Sequence, residues 1–185
     1  MAAASGPAYT TLNPSDKSAA ITLSNGNLTA TATSGASGIA RSVATIAGRR
    51  YFEVRYDVVG GSGGTCAAGV ATSEASLSAS LGSTADGWGF WGPTGGAYNN
   101  GVLALAGTAV SGDVFSFLVD EPAGELRIAK NGSLLNSGNA IFSNLSGTLH
   151  AAAGPWSNSS RVTMRFNPAS WSYPGLATGY DPILA

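Results

Sequence analysis

The sequence predicts an all-β chain folded as a two-sheet antiparallel β-sandwich. Three observations carry this. Short stretches alternate apolar and polar residues with a period of two. Turn signals recur about every 8–12 residues, enough for roughly ten to thirteen short strands. No long segment shows the 3.6-residue period of an amphipathic helix, which argues against α/β architectures.

In chain order, residues 1–16 are rich in Ala, Ser and Pro without apolar periodicity. They read as an N-terminal arm, with the sandwich spanning residues 17–185. Ala20–Thr33 forms a hairpin about Asn25-Gly26, and Ile39–Ile46 a further strand. Arg50–Val59 is the strongest single strand. Phe52, Val54, Tyr56 and Val58 share one face, while Tyr51, Glu53, Arg55 and Asp57 share the other, which reads as a wet side. Gly60–Gly64 is a turn; a phosphate loop would need Gly-Lys-Ser/Thr, and no lysine follows. Thr65–Ala71 is a strand of small residues. Ser73–Ser80 reads as one short helical turn that tucks Leu77 and Leu81 inward.

Gly87–Trp91 and Ala97–Asn100 flank Gly95-Gly96, and Val102–Ala106 is a weak strand. The clearest element is the hairpin Gly112–Gly132. Phe115, Phe117 and Val119 lie on one face and Val114, Ser116 and Leu118 on the other, so both faces are largely apolar and the strand is placed centrally. Glu121–Gly124 supplies the turn. Leu126 and Ile128 return on one face with Glu125, Arg127 and Ala129 opposite, and Asn131-Gly132 closes the unit. Ile141–Leu145 is a loop. Thr148–Ala153 and Arg161–Phe166 are strands around the loop Gly154–Ser160. Asn167–Tyr180 is rich in Pro and aromatics with no helix signal.

Composition bounds the function. The chain has 185 residues, of which 10% are charged, and a net charge of −1. No basic cluster exists beyond Arg49-Arg50, which argues against nucleic acid and anionic membrane as partners. Cys66 is the only cysteine, so neither an intramolecular disulfide nor a four-cysteine zinc site can form. The start, MAAASGPAYT, lacks the pattern of a secretory signal, and no apolar run reaches the length of a spanning helix.

Several motifs together resemble the SPRY domain family. Gly112-Asp113, an apolar strand to Asp120, a short turn and Leu126–Gly132 ending in Lys-Asn-Gly resemble its central hairpin. Ile128 stands where that family usually has an aromatic. Arg50–Val54 resembles its Tyr-Phe-Glu-Val strand, and Ala68–Ala71 its Gly-Val strand. Trp88-Gly89-Phe90 with Tyr98–Gly101 is similar to Trp-Gly-Tyr followed by Tyr-x-Asn-Gly. Arg161–Asn167 with Trp171, Tyr173-Pro174 and Gly179-Tyr180 resembles the closing run, with Pro168 in place of a frequent Gly. The matches keep their order over about residues 48–183. The resemblance implies a bent sandwich of concanavalin-like jelly-roll type and a non-enzymatic binding module without cofactor, whose partners meet the loops at one end.

Candidate site residues follow from loop context. Trp88 and Trp171 fall at family positions and read as core. Trp91, beside Gly92-Pro93, and Trp156, after Gly154-Pro155, are candidate binding platforms, because tryptophan combines large area with an N–H. Tyr98, Asn99, Asn100 and Asn158 are candidate partners beside them. His150, the sole histidine, reads as a packed or loop-facing residue rather than part of a triad. Cys66 reads as a buried small residue. Asp113 and Asp120 fall at opposite ends of one strand and so do not form a carboxylate pair. The Asn-x-Ser/Thr patterns at Asn27, Asn131, Asn144 and Asn158 are expected by chance in so Ser/Thr-rich a chain.

The low-charge surface, rich in small residues, suggests a phage-like structural role: capsid decoration, or a head or tail fibre protein, on the virion, with a cytoplasmic location as the rival. The expected partners are a capsid or tail protein, a short peptide, or a cell-surface glycan bound as by a carbohydrate-binding module. Neither nucleic acid nor membrane insertion is expected, and homo-oligomerisation is left open.

Overall fold

The computed structural model describes residues 7–60, 66–93 and 95–185. The strands are β1 (Leu12–Lys17), β2 (Ile21–Ser24), β3 (Thr29–Ala32), β4 (Ala40–Ser42), β5 (Arg49–Val58), β6 (Cys66–Thr72) and β7 (Gly87–Gly92). They continue with β8 (Gly95–Asn99), β9 (Val102–Gly107), β10 (Val114–Asp120), β11 (Glu125–Lys130), β12 (Ser133–Leu134), β13 (Leu149–Pro155) and β14 (Arg161–Arg165). Sheet I has the order β1-β4-β13-β6-β7-β8-β9, and sheet II the order β12-β11-β10-β5-β14-β3-β2. Every ladder is antiparallel. Among the described residues the only helical elements are 3₁₀ turns at Asn136–Gly138, Pro168–Ser170 and Pro174–Ala177. The all-β sandwich is therefore observed. The expected turn at Gly60–Gly64 lies mostly outside the described residues.

The inner faces meet as the period-two reading requires. In the central hairpin Phe117 pairs with Ile128 and Val119 with Leu126, and all four side chains are buried between the sheets. Phe52 stacks on Phe117 with ring centroids 5.1 Å apart, and Phe90 meets Phe115 at 4.5 Å. Tyr56 reaches from sheet II to donate its hydroxyl to the Phe90 carbonyl of sheet I at 2.6 Å. Burying a large aromatic is favourable only if its polar atom finds such a partner.

The hairpin ends are fixed by side chains. Asn131 (φ 49°) and Gly132 (φ 84°) take the left-handed conformation expected of Asn-Gly. The Asn131 side chain accepts from Val114 N and donates to Asp113 Oδ1 at 2.8 Å. Asp113 also accepts from Val110 N and pairs with Lys130 at 2.9 Å. Burial pushes the Asp113 carboxyl up, but the Val110 N–H, Asn131 and Lys130 outweigh it and hold it below the ordinary value. Gly-Asp and Lys-Asn-Gly are thus two halves of one lock on the connection from β9 to β10.

Four expectations are corrected. The arm at 1–16 is structural from Tyr9 onward. Tyr9 bridges Leu184, Leu12 is fully buried, and β1 pairs with β4. Asp16 joins Arg41 at 2.7 Å, and Arg41 in turn donates to the carbonyls of Thr72, Ser73 and Ala75. The outer face of β5 is not wet where Tyr51 and Glu53 stand, because both are fully buried under residues 171–173. Ser73–Ser80 forms turns rather than a helix, although Leu81 does tuck inward, buried, with Leu77 half-buried beside it. Trp171 lies outside the core between the sheets. It sits half-buried and edge-on to Tyr51 at 4.7 Å, its Nε1 donating to the Arg165 carbonyl. Trp88 is core, as expected.

Candidate functional site

One end of the sandwich gathers the connections that leave β3, β5, β7, β9 and β13. The registers place them together. Cys66 faces both Pro155 and Gly92, Gly95 faces Gly107, and Arg161 faces Val58. Ala32 exchanges backbone hydrogen bonds with Ser159 and Ser160. Of the described residues in these connections, 33–39, 59–60, 93, 108–113 and 156–160, only Asp113 is charged, and it is paired with Lys130. We call this the neutral end. The opposite end holds the ion pairs Arg49–Asp120, Arg50–Asp181 and Arg127–Glu125, while on the strand ends beside the neutral end Asp57 pairs with Arg55 and Arg161, and Asp113 with Lys130.

Three aromatics meet at the neutral end on the outer face of sheet I. Trp91 stacks on Tyr98 at 4.3 Å and 28°, and Trp156 stands edge-on to Trp91 at 4.9 Å and 87°. The local sequence explains the stack. Trp91 lies opposite Gly96 and Tyr98 opposite Gly89, so each ring has a glycine across the ladder and can lie along the sheet. A Cβ on Gly89 would come within 2.9 Å of the Leu81 side chain. Leu81 belongs to the connection 73–86, which folds back over this face. It forms a second cluster with Ile39, Ala67, Ala71, Ala75 and Ala152, against which Trp91 and Trp156 pack. The small residues of β6 leave room for that layer.

The trio is anchored to the connection that folds over this face. Trp91 Nε1 donates to the Leu81 carbonyl. Ser160, in the same loop as Trp156, is fully buried and its hydroxyl is the one buried side-chain polar atom without a partner among the described residues. Trp91, Tyr98 and Trp156 are each half-buried. This is a flat, uncharged, aromatic surface rather than a deep cleft. The clefts of about 340, 310 and 390 Å³ lie elsewhere, at Ser73 and Asp86, at Tyr9 and Phe166, and at Tyr173 and Leu176.

The structure joins only part of the sequence-predicted set. Trp91, Tyr98 and Trp156 come together, and Asn158 lies exposed in the same loop as Trp156. Asn99 and Asn100 stand at the far end of β8. Asn99 lies on the opposite sheet face from Tyr98 by strict alternation. Its amide donates to the carbonyls of Ala85 and Gly87 and accepts from Asn144, which accepts in turn from Trp88 Nε1. Asn100 occupies a turn with φ 51°. Neither can assist Trp156. Leu81, expected to tuck inward, and Ile39, expected to open a strand, seat the trio, a role that nothing in the local sequence assigns to either.

No hydrolytic centre is assembled at His150. Nδ1 is 2.9 Å from the Ser42 carbonyl, so it carries the proton, and Nε2 is 3.3 Å from Ser73 Oγ. The third member is a backbone carbonyl, and Asp16 is committed to Arg41. Burial pushes the Cys66 thiol up, reinforced by the Asp57 charge, which removes its thiolate at neutral pH. Among the described residues no group of three or more His, Cys, Asp or Glu could hold a metal ion, and no helix is long and apolar enough to cross a membrane.

The family model of the SPRY domain matches residues 49–166. The chain belongs to the SPRY domain family. That span covers β5 to the end of β14, hence the central hairpin, the trio and the buried Glu53. Among solved structures, the SPRY domain of human HERC1 superposes with a TM-score of 0.69 at 21% identity, covering 83% of this chain and 96% of that one. None of the curated proteins compared matches the chain. SPRY domains are generally non-catalytic modules that mediate protein or peptide binding. The assignment gives this SPRY domain its fold and its general role; the surface that performs the role must be argued from its own residues.

Proposed function

We propose that this SPRY domain is a non-enzymatic recognition module that binds a protein or peptide at its neutral end, with Trp91, Tyr98, Trp156 and Asn158 in contact. The observation that carries this is the aromatic trio at an end whose described connecting residues hold one charged side chain, Asp113, itself paired with Lys130. Aromatics anchor interfaces, and neutral Ser, Thr and Asn loops supply hydrogen bonds without desolvating charge. A peptide is favoured over a sugar because Trp91 and Tyr98 each spend a face on the other and Trp156 packs at a right angle against Trp91, so the trio offers no single broad open face for a pyranose to stack on.

Residues 8–10 and 183–185 pair at the opposite end. Attachment there would leave the trio facing outward. This supports a further reading, in which the domain decorates a virion surface and presents the neutral end to its partner.

The test is selection from a displayed peptide library, with a neutral-glycan array in parallel. Selected peptides should bind with an affinity that changes less than about twofold between low and high salt, since no exposed ion pair is made. They should lose at least about tenfold in affinity to Tyr98→Ala. Ligands recovered only from the glycan array, or peptides indifferent to Tyr98→Ala, would refute the reading.

A further inference from the structure

The sandwich has four lateral sheet edges, and three are protected. Strand β1 carries Pro14, Asp16 and Lys17. Strand β2 is short, and Lys17 Nζ caps its Ile21 carbonyl at 2.7 Å. Strand β12 has two residues and runs into a turn closed by Asn136 Nδ2 on the Ala140 carbonyl. Proline, lysine and brevity are the usual means of keeping an edge from pairing with another chain.

The fourth edge, β9, lacks these. Its six residues, VLALAG, contain neither proline nor charge, and no charged residue occurs from Gly101 to Gly112. Val102 is 66% exposed and Leu103 45%, and both Ala104 and Ala106 are exposed. The one interruption is a bulge: Ala97 faces Leu105 while Tyr98 faces Leu103, leaving Ala104 as the extra residue. The edge of sheet II on the same side presents Leu134, 40% exposed on β12. The two edges are neighbours, because Lys130 of β11 donates to the Thr108 carbonyl just beyond β9.

We propose that β9 pairs antiparallel with β9 of a second copy of this chain, joining two sheets I edge to edge about a two-fold axis. The unpaired backbone groups of an edge are matched only by another strand. A neutral strand meets its own copy without like-charge repulsion, and antiparallel pairing is closed by symmetry, so it yields a dimer rather than a fibre. Leu134 adds apolar contact beside the new ladder. The proposal does not depend on the reading of the trio, and its test does not use the ligand.

Sedimentation of the full chain over concentrations from about 1 µM to 1 mM should show a reversible monomer–dimer equilibrium, as expected of a small interface. The double substitution Val102→Lys with Leu103→Lys places like charges across the pair and should raise the dissociation constant at least about tenfold at unchanged circular dichroism. Val43→Lys, which alters an apolar residue 53% exposed on the β1 side, should leave the equilibrium unmoved. Ala104→Cys should give an intermolecular disulfide under mild oxidation, with buried Cys66 as a silent bystander. That variant keeps the proposal testable if the lysines impair folding. A chain monomeric throughout the range, a dimer indifferent to the double substitution, or open-ended oligomers would overturn it.

Discussion

Glu53 offers the sharpest test of how the outer face of sheet II is held. Its carboxylate is fully buried and accepts from Ser172 N and Tyr173 N, both at 2.7 Å, and from the Tyr51 hydroxyl at 2.9 Å. Arg165 stands 3.4 Å away, 20% exposed. The Tyr51 hydroxyl is also within hydrogen-bond distance of the Ser116 hydroxyl and the Tyr173 carbonyl. One carboxylate thus clips residues 171–173 to β5 and roofs Tyr51, Ser116 and Leu118. Glu53→Gln keeps the volume but replaces one acceptor with an NH₂ that faces a backbone N–H. It forfeits one charge-assisted bond of about 1.5–3 kcal/mol and leaves a buried donor unpaired at a further cost of about 1–3 kcal/mol. Arg165 also loses its counter-charge, but water at that side chain limits the added cost. The expected loss is about 3–5 kcal/mol, the range for breaking a buried charge pair. Urea unfolding reads the magnitude, and amide exchange of residues 171–182 reads the location. A loss under about 1 kcal/mol, or exchange that rises equally in every strand, would refute the idea that this carboxylate holds the closing run.

Three further predictions follow from named contacts. Asp16 and Asp113 titrate below the ordinary 3.8 in the folded chain, Asp16 chiefly through its hydrogen bond to Arg41. The unfolded chain therefore takes up protons first on acidification, and this part of the stability is full above about pH 5 and lost as pH falls through the folded values. Asp113→Asn should flatten the acid limb of a stability–pH curve; an unchanged limb would contradict the assignment. Deleting residues 1–16 removes most of β1 and the fully buried Leu12, so it should cost more than the roughly 2–5 kcal/mol of a Leu→Ala truncation; a melting temperature shifted by only a degree or two would restore the arm reading. Trp91→Ala removes the centre of the trio and should cost about 3–5 kcal/mol, whereas Trp156→Ala, at its rim, should cost less; equal losses in urea unfolding would refute this ranking.

Much of this architecture was legible from local pattern. The hairpin 113–132 could be placed because its apolar faces alternate, its turn is Glu-Pro-Ala-Gly and its exit is Asn-Gly. What was not legible arises from contacts distant in sequence. Tyr51 and Glu53 read as a wet face because the segment that covers them lies some 120 residues away. Strand β1, LNPSDK, shows no alternation, because an edge strand pairs on one side only and Pro14, Asp16 and Lys17 suit that position. The trio was half legible. Trp91, Tyr98 and Trp156 stood out as loop-flanked aromatics, but only the β6–β7 and β6–β13 pairings bring Trp156 to Trp91. Loop context alone groups Asn99 with Tyr98, but a residue adjacent to Tyr98 in a strand must lie on the other face.

The most direct test of the central claim is a chemical-shift map of the isotope-labelled domain titrated with a library-selected peptide. The account predicts that amides at 91–92, 95–98 and 156–160 move together and saturate in step, while Glu121–Leu126 and Asp181 stay still. Perturbations centred on the charged end, or on residues 171–176 over the outer face of sheet II, would contradict it.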